Sequence, residues 1–453
     1  MEQKIKRTFW ALAALCMATP SFAVVTADEA ARLKTDLTPF GAEKAGNKEG
    51  SIPAWTGGHT SPIPGDKPNG RRGNPFKDEK PLFSITAKNV QQYADKLADG
   101  TKALLAKYPD SYRVDVYETH RTAAAPKWVY DNTFKNATRA KLTGGIPEGA
   151  YGGIPFPIPK SGAEVIWNHS LRWQGTALQF SVTQYQFTAD GRTVLTSDTT
   201  AEQLAAYYIE EGNPEQFAKS GDYWMIRLTN SGPPIRAGEQ FVARANLDGA
   251  KDSSWVYLTG QRRVRKLPTP CCDTPTPTTA GLMSFDEVFG WYGSQHRFDW
   301  KLAGKKEIYI PYNDNMMFQP KTDADMLGAH FVNPDHVRWE LHRVWVVEAS
   351  LKPGQRHQAA KSRYYCDEDT WICVIADRWD AQGQLWKTIW VPTFVAPDLP
   401  GTIAIGFGFN DLLSGAGFYS NLLNTKASQF TVPVKRTADS VFTPDAMAAE
   451  GIR

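Results

Sequence analysis

The chain has 453 residues, and it lacks both a long apolar run and a strong excess of one charge. A helix that spans a bilayer needs about 20 consecutive apolar residues, and no stretch after the N-terminal region reaches that length. The formal net charge is only +3, whereas nucleic-acid-binding proteins show a strong basic bias. We therefore expect neither a membrane-spanning protein nor a partner of nucleic acids.

Motifs of the common catalytic and cofactor sites are also missing. The sequence has no G-x-S-x-G nucleophile elbow, no P-loop, no dinucleotide-binding glycine pattern and no HExxH zinc motif. His330, His336 and His342 recur at intervals of six and could share one face of a strand. We interpret them as structural histidines, so the sequence predicts no metal site and no cofactor.

One acidic run contains carboxyl groups that are candidates for glycosidic cleavage. Asp367, Glu368 and Asp369 are consecutive, whereas a glycosidase needs two carboxyl groups that face each other across a cleft. Consecutive residues on a turn point in different directions, so the run predicts a solvated turn. No catalytic residue is identified, and we expect no enzymatic activity.

The cysteines are few and favour disulfide chemistry over metal binding. No C-x-x-C pair is present. Cys366 and Cys373 flank the acidic run in YYCDEDTWICV, which reads as a hairpin tip whose facing positions can form a bridge. We therefore predict a Cys366–Cys373 disulfide. Cys271 and Cys272 are adjacent, and three states stay open for them: a vicinal bridge, free thiols or pairing elsewhere.

The first residues predict export. Lys4, Lys6 and Arg7 precede a short apolar stretch, and Ser21-Phe22-Ala23 is a small-x-small cleavage site. We expect cleavage after Ala23 and a periplasmic mature chain. The alternative is a mature chain that is peripheral at the outer membrane. Residues 24–85 are predicted to be an N-terminal helix, which begins with a capping box of Thr26 and Glu29, followed by a wrap rich in Pro and Gly. Residues 86–453 are predicted to form the main domain.

From residue 163 onward, alternating apolar and polar residues predict many strands, among them 165–174, 240–246 and 254–266, and a helix over 200–211 interrupts them. Asp190-Gly191, Asp248-Gly249 and Gln382-Gly383 lie between strand runs, as antiparallel hairpins require. The predicted fold class is α+β and mainly antiparallel β. Because so many long strands must curl or split, we expect a strongly curved sheet, a half-barrel, around a few helices. A β-propeller is less favoured because no repeat at blade spacing is visible.

The most informative stretch runs from Trp255 to Pro268 (WVYLTGQRRVRKLP) and is followed by the segment GLMSFDEVFGW. On a strand, Arg263 and Arg265 would face one side, where their guanidinium groups could hold a phosphate or carboxylate of a ligand. The alternative is a set of salt bridges to segments such as FDEVF. Aromatic residues of the predicted sheet are candidate cavity lining, and the tentative ligand contacts are Trp255, Tyr257, Trp167, Trp173 and Trp345.

This stretch resembles the outer-membrane lipoprotein-sorting (LolA/LolB-like) superfamily, which has a W-x-Y-L…R-R-V-R strand, a loop and an F-x-D/E segment. Several further segments resemble an uncharacterised family of secreted Gram-negative proteins related to it: LTPFGAEKAGNKEGSIPAWTGG, LAGKKEIYIPYN, RWELHRVWVVEASLK and YYCDEDTWICVIADRWDAQGQLWK. The resemblance implies a curved antiparallel sheet closed by helices around an apolar cavity. It also implies binding of acyl chains or similar lipophiles. An RND-type exporter and an outer-membrane protein are the partners that the resemblance suggests.

The sequence therefore favours a periplasmic carrier of a lipid, a lipoprotein acyl chain or another hydrophobic molecule, acting in transport towards the outer membrane or in its maintenance. Two alternatives stay open. One is a hydrolase of envelope glycans or lipids, and the other is a structural scaffold of an export complex.

Overall fold

The computed structural model describes residues 25–68, 70–267, 272–276, 279, 281–404, 406–432 and 435–451. Its helices are α1 (Ala27–Ala31), α2 (Asp99–Lys107), α3 (Lys127–Arg139), α4 (Gly162–Ser170), α5 (Pro214–Ser220), α6 (Asp323–Met326) and α7 (Pro444–Gly451).

The strands are β1 (Phe83–Ile85), β2 (Val114–Val116), β3 (Lys141–Thr143), β4 (Ile146–Glu148), β5 (Ala177–Phe187), β6 (Thr193–Leu204), β7 (Asp222–Gly232), β8 (Gln240–Asn246), β9 (Ser253–Leu258), β10 (Arg263–Lys266), β11 (Phe298–Pro311), β12 (Trp339–Leu351), β13 (Lys361–Asp367), β14 (Cys373–Trp379), β15 (Leu385–Trp390), β16 (Thr393–Ala396), β17 (Gly401–Ala404), β18 (Phe407–Asp411), β19 (Gly417–Leu422) and β20 (Phe430–Thr431).

Sixteen of the described strands form one sheet. Its order is β1-β2-β12-β13-β14-β15-β18-β19-β5-β6-β7-β8-β9-β10, with β11 on β12 and β20 on β5. Among the described strands, the one parallel contact joins β2 to β12. The prediction of a mainly antiparallel sheet with few helices is confirmed, and the stronger curvature of a half-barrel stays a prediction.

Two regions of this sheet can be distinguished. Strands β5–β10 are a run of antiparallel neighbours, and we call them the cavity side. Strands β11–β15 are the other run of antiparallel neighbours, and we call them the filled side. Strands β18 and β19 lie between the two and join β15 to β5.

Two sequence predictions of element type are wrong. The segment 165–174 was expected to be a strand, but most of it lies in helix α4, which Ser161 caps by accepting a hydrogen bond from the Glu164 N–H at 3.3 Å. The segment 200–211 was expected to be a helix, but β6 continues to Leu204. Hydrogen bonding to β5 and β7 on both sides outweighs the local preference there.

The N-terminal part follows the expected pattern in outline. Thr26 and Glu29 form the predicted capping box of α1. The segment rich in Pro and Gly lies on the rest of the molecule: the Trp55 indole donates to the Ala123 carbonyl at 2.9 Å, and the Arg72 guanidinium pairs with Asp398 at 2.6 Å. The boundary at residue 85 stays a prediction. Among the described residues, no helix is long and apolar enough to cross a membrane.

Candidate functional site

The main feature of the cavity side is an apolar cavity of about 380 Å³. One wall is the face of strands β5–β9, together with β18 and β19. The opposite wall is the segment 283–292, which we call the cover segment. The volume of the cavity lies in the range of about 300–1,000 Å³ that is typical of small-molecule pockets.

The register of the strands explains why one sheet face lines the cavity. Residues that lie directly opposite in an antiparallel pair project to the same face, and alternate residues project to opposite faces. Leu228 of β7 pairs with Phe241 of β8, which pairs with Val256 of β9, and all three line the cavity. Met225, Val242 and Tyr257 form a separate apolar cluster with Phe442 and Met447, and Tyr257 also borders the cavity.

The cover segment places its apolar side chains on the cavity and its acidic side chains away from it. Phe285, Val288 and Phe289 line the cavity. Ser284 caps the short turn through a capping box with Glu287, and Phe289 (φ +50°) and Gly290 (φ +89°) adopt left-handed backbone conformations that end it. In FDEVF the apolar side chains therefore point to the cavity, and the two acidic side chains point away from it.

The two acids of the cover segment anchor it to the filled side. Asp286 accepts from Arg378 at 3.1 Å and contacts the His357 ring at 2.8 Å, while Glu287 pairs with Lys387 at 3.0 Å. All five side chains are nearly inaccessible to solvent. Burial would raise the pKa of Asp286, but Arg378 and His357 hold that pKa below its usual value.

This pairing corrects one sequence interpretation. The acids of FDEVF were considered as salt-bridge partners for the basic cluster 262–266, but they pair with Arg378 and Lys387 instead. The four basic side chains of that cluster are exposed. In the described part of the chain, no acidic group lies within ion-pairing distance of them.

The basic cluster also has a different local structure from the one predicted. The single strand expected over 254–266 is two strands, β9 and β10, joined by a turn in which Arg262 adopts φ +49°. In this hairpin Arg263 pairs with Leu258, and Arg265 pairs with Val256. Both arginines therefore share the face of the sheet that lines the cavity, one strand beyond it.

A buried hydroxyl faces the cavity without a hydrogen-bond partner. Ser254 is 0% exposed, lines the cavity and pairs with Ala243 on the cavity-lining face. Within the described ranges, nothing lies in hydrogen-bonding distance of its Oγ. Buried hydroxyl groups normally have a partner, and the Ser254 hydroxyl has none among the described residues.

The predicted aromatic ligand contacts do not come together. Tyr257 borders the cavity, whereas Trp255 packs with the cluster on the opposite face. Trp173 packs on Tyr208 and donates to the Pro400 carbonyl, and Trp345 stacks on Trp371. Trp167 lies in α4 and borders a second cleft of about 1050 Å³, which also carries Lys160, Glu164, Asp248 and Asp299. The ligand-binding role of these residues stays a prediction.

Sequence reasoning missed most of the residues that line the cavity. They alternate along the strands, so the pattern that predicted the strands also contained this face. What the pattern did not contain is which of the two faces meets the cover segment. The missed lining residues are Ile226, Leu228, Phe241, Ala243, Ser254, Val256, Leu258, Phe285, Val288 and Phe289.

The acidic run near the disulfide is a structural centre of the filled side. Asp367, Glu368 and Asp369 are 0%, 2% and 3% exposed, so the prediction of a solvated turn is wrong. Both carboxylate oxygens of Asp369 accept from Arg121, at 2.7 and 2.8 Å. The rest of the turn closes on itself, because the Thr370 hydroxyl donates to Asp367 at 2.7 Å.

His342, one of the three histidines at intervals of six, belongs to this buried acidic centre. Its ring lies between Glu340 at 3.0 Å and Asp367 at 3.6 Å. Although burial opposes the charged ring, the carboxylates raise the pKa of His342. His342, Asp367 and Asp369 have the donor types of a metal site, but both oxygens of Asp369 already bind Arg121. The arrangement fits a buried ion network.

The structure describes three of the four cysteines that follow the predicted signal peptide. Cys366 and Cys373 form the predicted disulfide. Cys272 is buried, whereas Cys271 lies outside the described residues. The predicted signal peptide and its cleavage site after Ala23 also lie outside the described residues.

Comparisons with known proteins agree on the family. The family described as "Protein of unknown function (DUF1329)" matches residues 84–448. An uncharacterized protein of Pseudomonas aeruginosa is 39% identical over 461 residues, covering 98% of this chain and 97% of the relative. The resemblance to an uncharacterised family, expected from the sequence, is confirmed by these two matches.

Three solved structures are similar at lower levels. A DUF1329 family protein from Desulfovibrio piger is 12% identical with a TM-score of 0.43, over 63% of this chain and 97% of that one. A putative outer membrane lipoprotein-sorting protein domain from Vibrio parahaemolyticus is 12% identical with a TM-score of 0.44, over 64% and 98%. A LolA superfamily protein from Nitrosomonas europaea is 11% identical with a TM-score of 0.36, over 64% and 100%.

Proposed function

The chain belongs to the DUF1329 family, and we propose that it binds a lipophilic molecule in the apolar cavity and carries it through the periplasm without covalent chemistry. The cavity between the cavity side and the cover segment is the observation that supports this proposal. Ile226, Leu228 and Val256 on one wall face Phe285 and Phe289 on the other. A pocket lined mainly by aliphatic and aromatic side chains suits an apolar ligand.

The degree of exposure of the lining supports the same proposal. Leu228, Phe241, Val256 and Leu258 are only partly buried, although residues of these types are usually buried in a folded core. An apolar ligand would remove this remaining apolar surface from water, which is favourable by about 25 cal/mol per Å². We propose that the sheet curves around the ligand as the predicted half-barrel.

The cellular setting of this activity is part of the proposal. We infer export through the N-terminal signal peptide, cut after Ala23, and action in the periplasm or peripherally at the outer membrane. The resemblance noted in the sequence suggests an RND-type exporter and an outer-membrane protein as partners. We propose Tyr257, Arg263 and Arg265 as ligand contacts, because Tyr257 borders the cavity and the two arginines share its face of the sheet, one strand beyond it.

The first experiment asks whether the protein carries a ligand. The mature protein is purified from the periplasm, its native mass is measured, and organic extracts are analysed by lipid mass spectrometry. We expect a stoichiometric apolar ligand that denaturation releases. A protein that is empty, and stays empty when offered fatty acids, phospholipids and lipopeptides, would refute carriage and favour the scaffold or the hydrolase.

A cavity-filling variant tests where the ligand binds. Ala243→Phe places a large ring in the cavity, and we expect it to abolish ligand recovery. The matched control is Val194→Phe, which adds a ring at a site 47% exposed on strand β6 and should retain the ligand. If Ala243→Phe folds and still co-purifies with stoichiometric ligand, the ligand binds elsewhere. The smaller Ala243→Leu replaces it if the larger side chain prevents folding.

A further inference from the structure

The charge pattern at the outer edge of the cavity side is unlike that of the neighbouring strands. Arg227 pairs with Glu202 at 2.6 Å, Arg236 with Glu239 at 2.9 Å, and Arg244 with Asp222 at 2.8 Å. Arg263 and Arg265 are exposed and have neither an ion-pair nor a hydrogen-bond partner among the described residues. The arginines of β7, of β8 and of the turn between them are thus neutralised, whereas the two arginines of β10 have no acidic partner among the described residues.

The two unneutralised arginines face the same way as the cavity lining. Arg263 lies opposite Leu258 and Arg265 opposite Val256, and Leu258 and Val256 both line the cavity. A guanidinium group offers a fork of donors that matches carboxylate or phosphate oxygens. A ligand that fills the cavity and extends past β9 would meet this pair of forks.

The other charged groups along the cavity do not compete for this position. Glu239 is held by Arg236. Asp252 accepts from the Asn246 N–H at 2.7 Å and precedes β9, at the end of that strand away from the turn to β10. The cavity therefore has a basic end, and an anionic group would be attracted to that end.

The size of the cavity limits the apolar part of the ligand. A methylene group displaces about as much volume as a water molecule does in the liquid, roughly 30 Å³. A cavity of about 380 Å³ then holds on the order of a dozen chain carbons. One acyl chain of this length therefore fills the cavity.

From these observations we infer that the ligand is an anionic amphiphile with a single acyl chain, whose chain fills the cavity and whose carboxylate or phosphate binds Arg263 and Arg265. This inference rests on the proposed function, because it presupposes that the cavity binds a lipophile. It adds the number of chains, the charge of the headgroup and the end of the cavity at which that headgroup lies.

The test compares ligands that share one chain. Binding to delipidated full-length mature protein is measured by calorimetry for laurate, lauroyl lysophosphatidate and uncharged monolaurin, each below its micelle concentration. We expect laurate or lauroyl lysophosphatidate, or both, to bind at least about tenfold more tightly than monolaurin, since hydrogen bonds to charged groups are worth about a tenfold factor or more. The stronger of the two identifies the headgroup as carboxylate or phosphate.

Variants of β10 locate the headgroup. The double variant Arg263→Gln/Arg265→Gln should lose the preference for the anionic ligand and keep the affinity for monolaurin. The matched control Arg262→Gln/Lys266→Gln also removes two positive charges. One lies in the turn, and the other pairs with Trp255 on the opposite face. We expect this control to retain the preference.

Four results would overturn the inference. They are equal binding of monolaurin and both anionic ligands, an equal loss in the control variant, binding of dilauroyl phosphatidate as tight as that of the lysolipid, or inorganic phosphate binding as tightly as the lysolipid. The last result would mean an anion site without a chain. Failure of the proposed function itself looks different, because then monolaurin and the anionic lipids all fail to bind.

Discussion

Strands β13 and β14 on the filled side and strands β7 to β9 on the cavity side belong to the same sheet but have different surroundings. Every residue from 364 to 378 is buried, on both faces of β13 and β14 and in the turn between them. On β7 to β9 one face packs against helix α7, and the other faces a cavity in which large apolar side chains remain partly exposed.

Charged groups divide between the two regions in the same way. The filled side encloses ion networks around Asp369 and Asp286, in which the paired side chains are at most 2% exposed. On the cavity side the ion pairs are partly exposed, as in Arg227–Glu202 at 16% and 20%. Isolated buried charges are strongly unfavourable, so the charged groups of these networks depend on their partners. The cavity side instead keeps an apolar space that a ligand can occupy.

The largest expected effect comes from breaking a network on the filled side. Arg121→Met would leave the Asp369 carboxylate buried without its partner, which is 2.7 Å away. Removal of one member of a buried pair costs about 3–5 kcal/mol, and we expect a loss of that order in the free energy of unfolding, measured by denaturant titration.

The control for this variant lies in the turn between β5 and β6 of the cavity side. Arg192 pairs with Asp190 at 2.8 Å, but the two side chains are 79% and 59% exposed. Arg192→Met should cost less than about 1 kcal/mol, because exposed ion pairs contribute little. If the two variants lose similar stability, the contrast between the two regions is wrong.

The second effect is a dependence of stability on pH. Burial raises the pKa of Asp377 to about 6, against opposing hydrogen bonds from Gly100 and Thr388. In the unfolded chain an aspartate titrates near pH 4. Between about pH 4 and pH 6, the folded protein thus keeps a proton that the unfolded chain releases, so rising pH lowers the free energy of unfolding by on the order of 2–3 kcal/mol.

The variant Asp377→Asn isolates this contribution. Its amide oxygen can still accept from the Gly100 N–H, which donates to Asp377 at 3.0 Å, but it does not titrate. The difference in unfolding free energy between variant and wild type should therefore grow, in favour of the variant, from about pH 4 to pH 6. A difference that is constant over this range would show that Asp377 titrates at its ordinary pKa.

The third effect compares overfilling of the two regions. Ala376 is 0% exposed in β14, whereas Ala243 lines the cavity from β8. Ala376→Leu should cost about 1–3 kcal/mol because no space is left for the added carbons. Ala243→Leu should change the stability of the empty protein by less than about 1 kcal/mol, because filling a cavity is commonly neutral or stabilising. Equal losses would mean that the cavity collapses in solution.

Part of the difference between the cavity side and the filled side could be predicted from the sequence. Alternation predicted β8 at its observed bounds, Gln240–Asn246, because each strand records its two faces locally. The basic run and the Phe-acid-Phe segment were also recognised as the most informative stretch; in the structure the Phe-acid-Phe segment lines the cavity, and the basic run lies one strand beyond it. Hairpin logic placed the Cys366–Cys373 disulfide correctly, since it depends only on neighbouring residues.

What could not be predicted depends on contacts between distant parts of the chain. The run of three acids looked like a solvated turn because its partner, Arg121, lies 248 residues earlier in the chain than Asp369. The acids of the cover segment bind Arg378 and Lys387, which are 92 and 100 residues away from Asp286 and Glu287, respectively. Local pattern identifies a charged residue but not its partner, so buried networks and the lining of a cavity escape sequence reasoning.

The smallest expected effect concerns the hydroxyl group that faces the cavity. The Ser254 Oγ is buried and has no hydrogen-bond partner within the described ranges. Its removal in Ser254→Ala loses no intramolecular hydrogen bond, so the free energy of unfolding of the empty protein should stay within about 0.5 kcal/mol of wild type or rise slightly. On the filled side, the buried Thr370 hydroxyl donates to Asp367 at 2.7 Å, and Thr370→Val should be clearly more destabilising.

This small effect gains meaning when ligand binding is measured on the same variant. A buried polar atom without a partner is unfavourable in the empty protein, and a polar group of the ligand can satisfy it. We therefore expect Ser254→Ala to weaken binding of the natural ligand while leaving the stability of the empty protein unchanged. If instead stability falls and affinity is unchanged, Ser254 belongs to the packed core and not to the ligand-binding surface of the cavity.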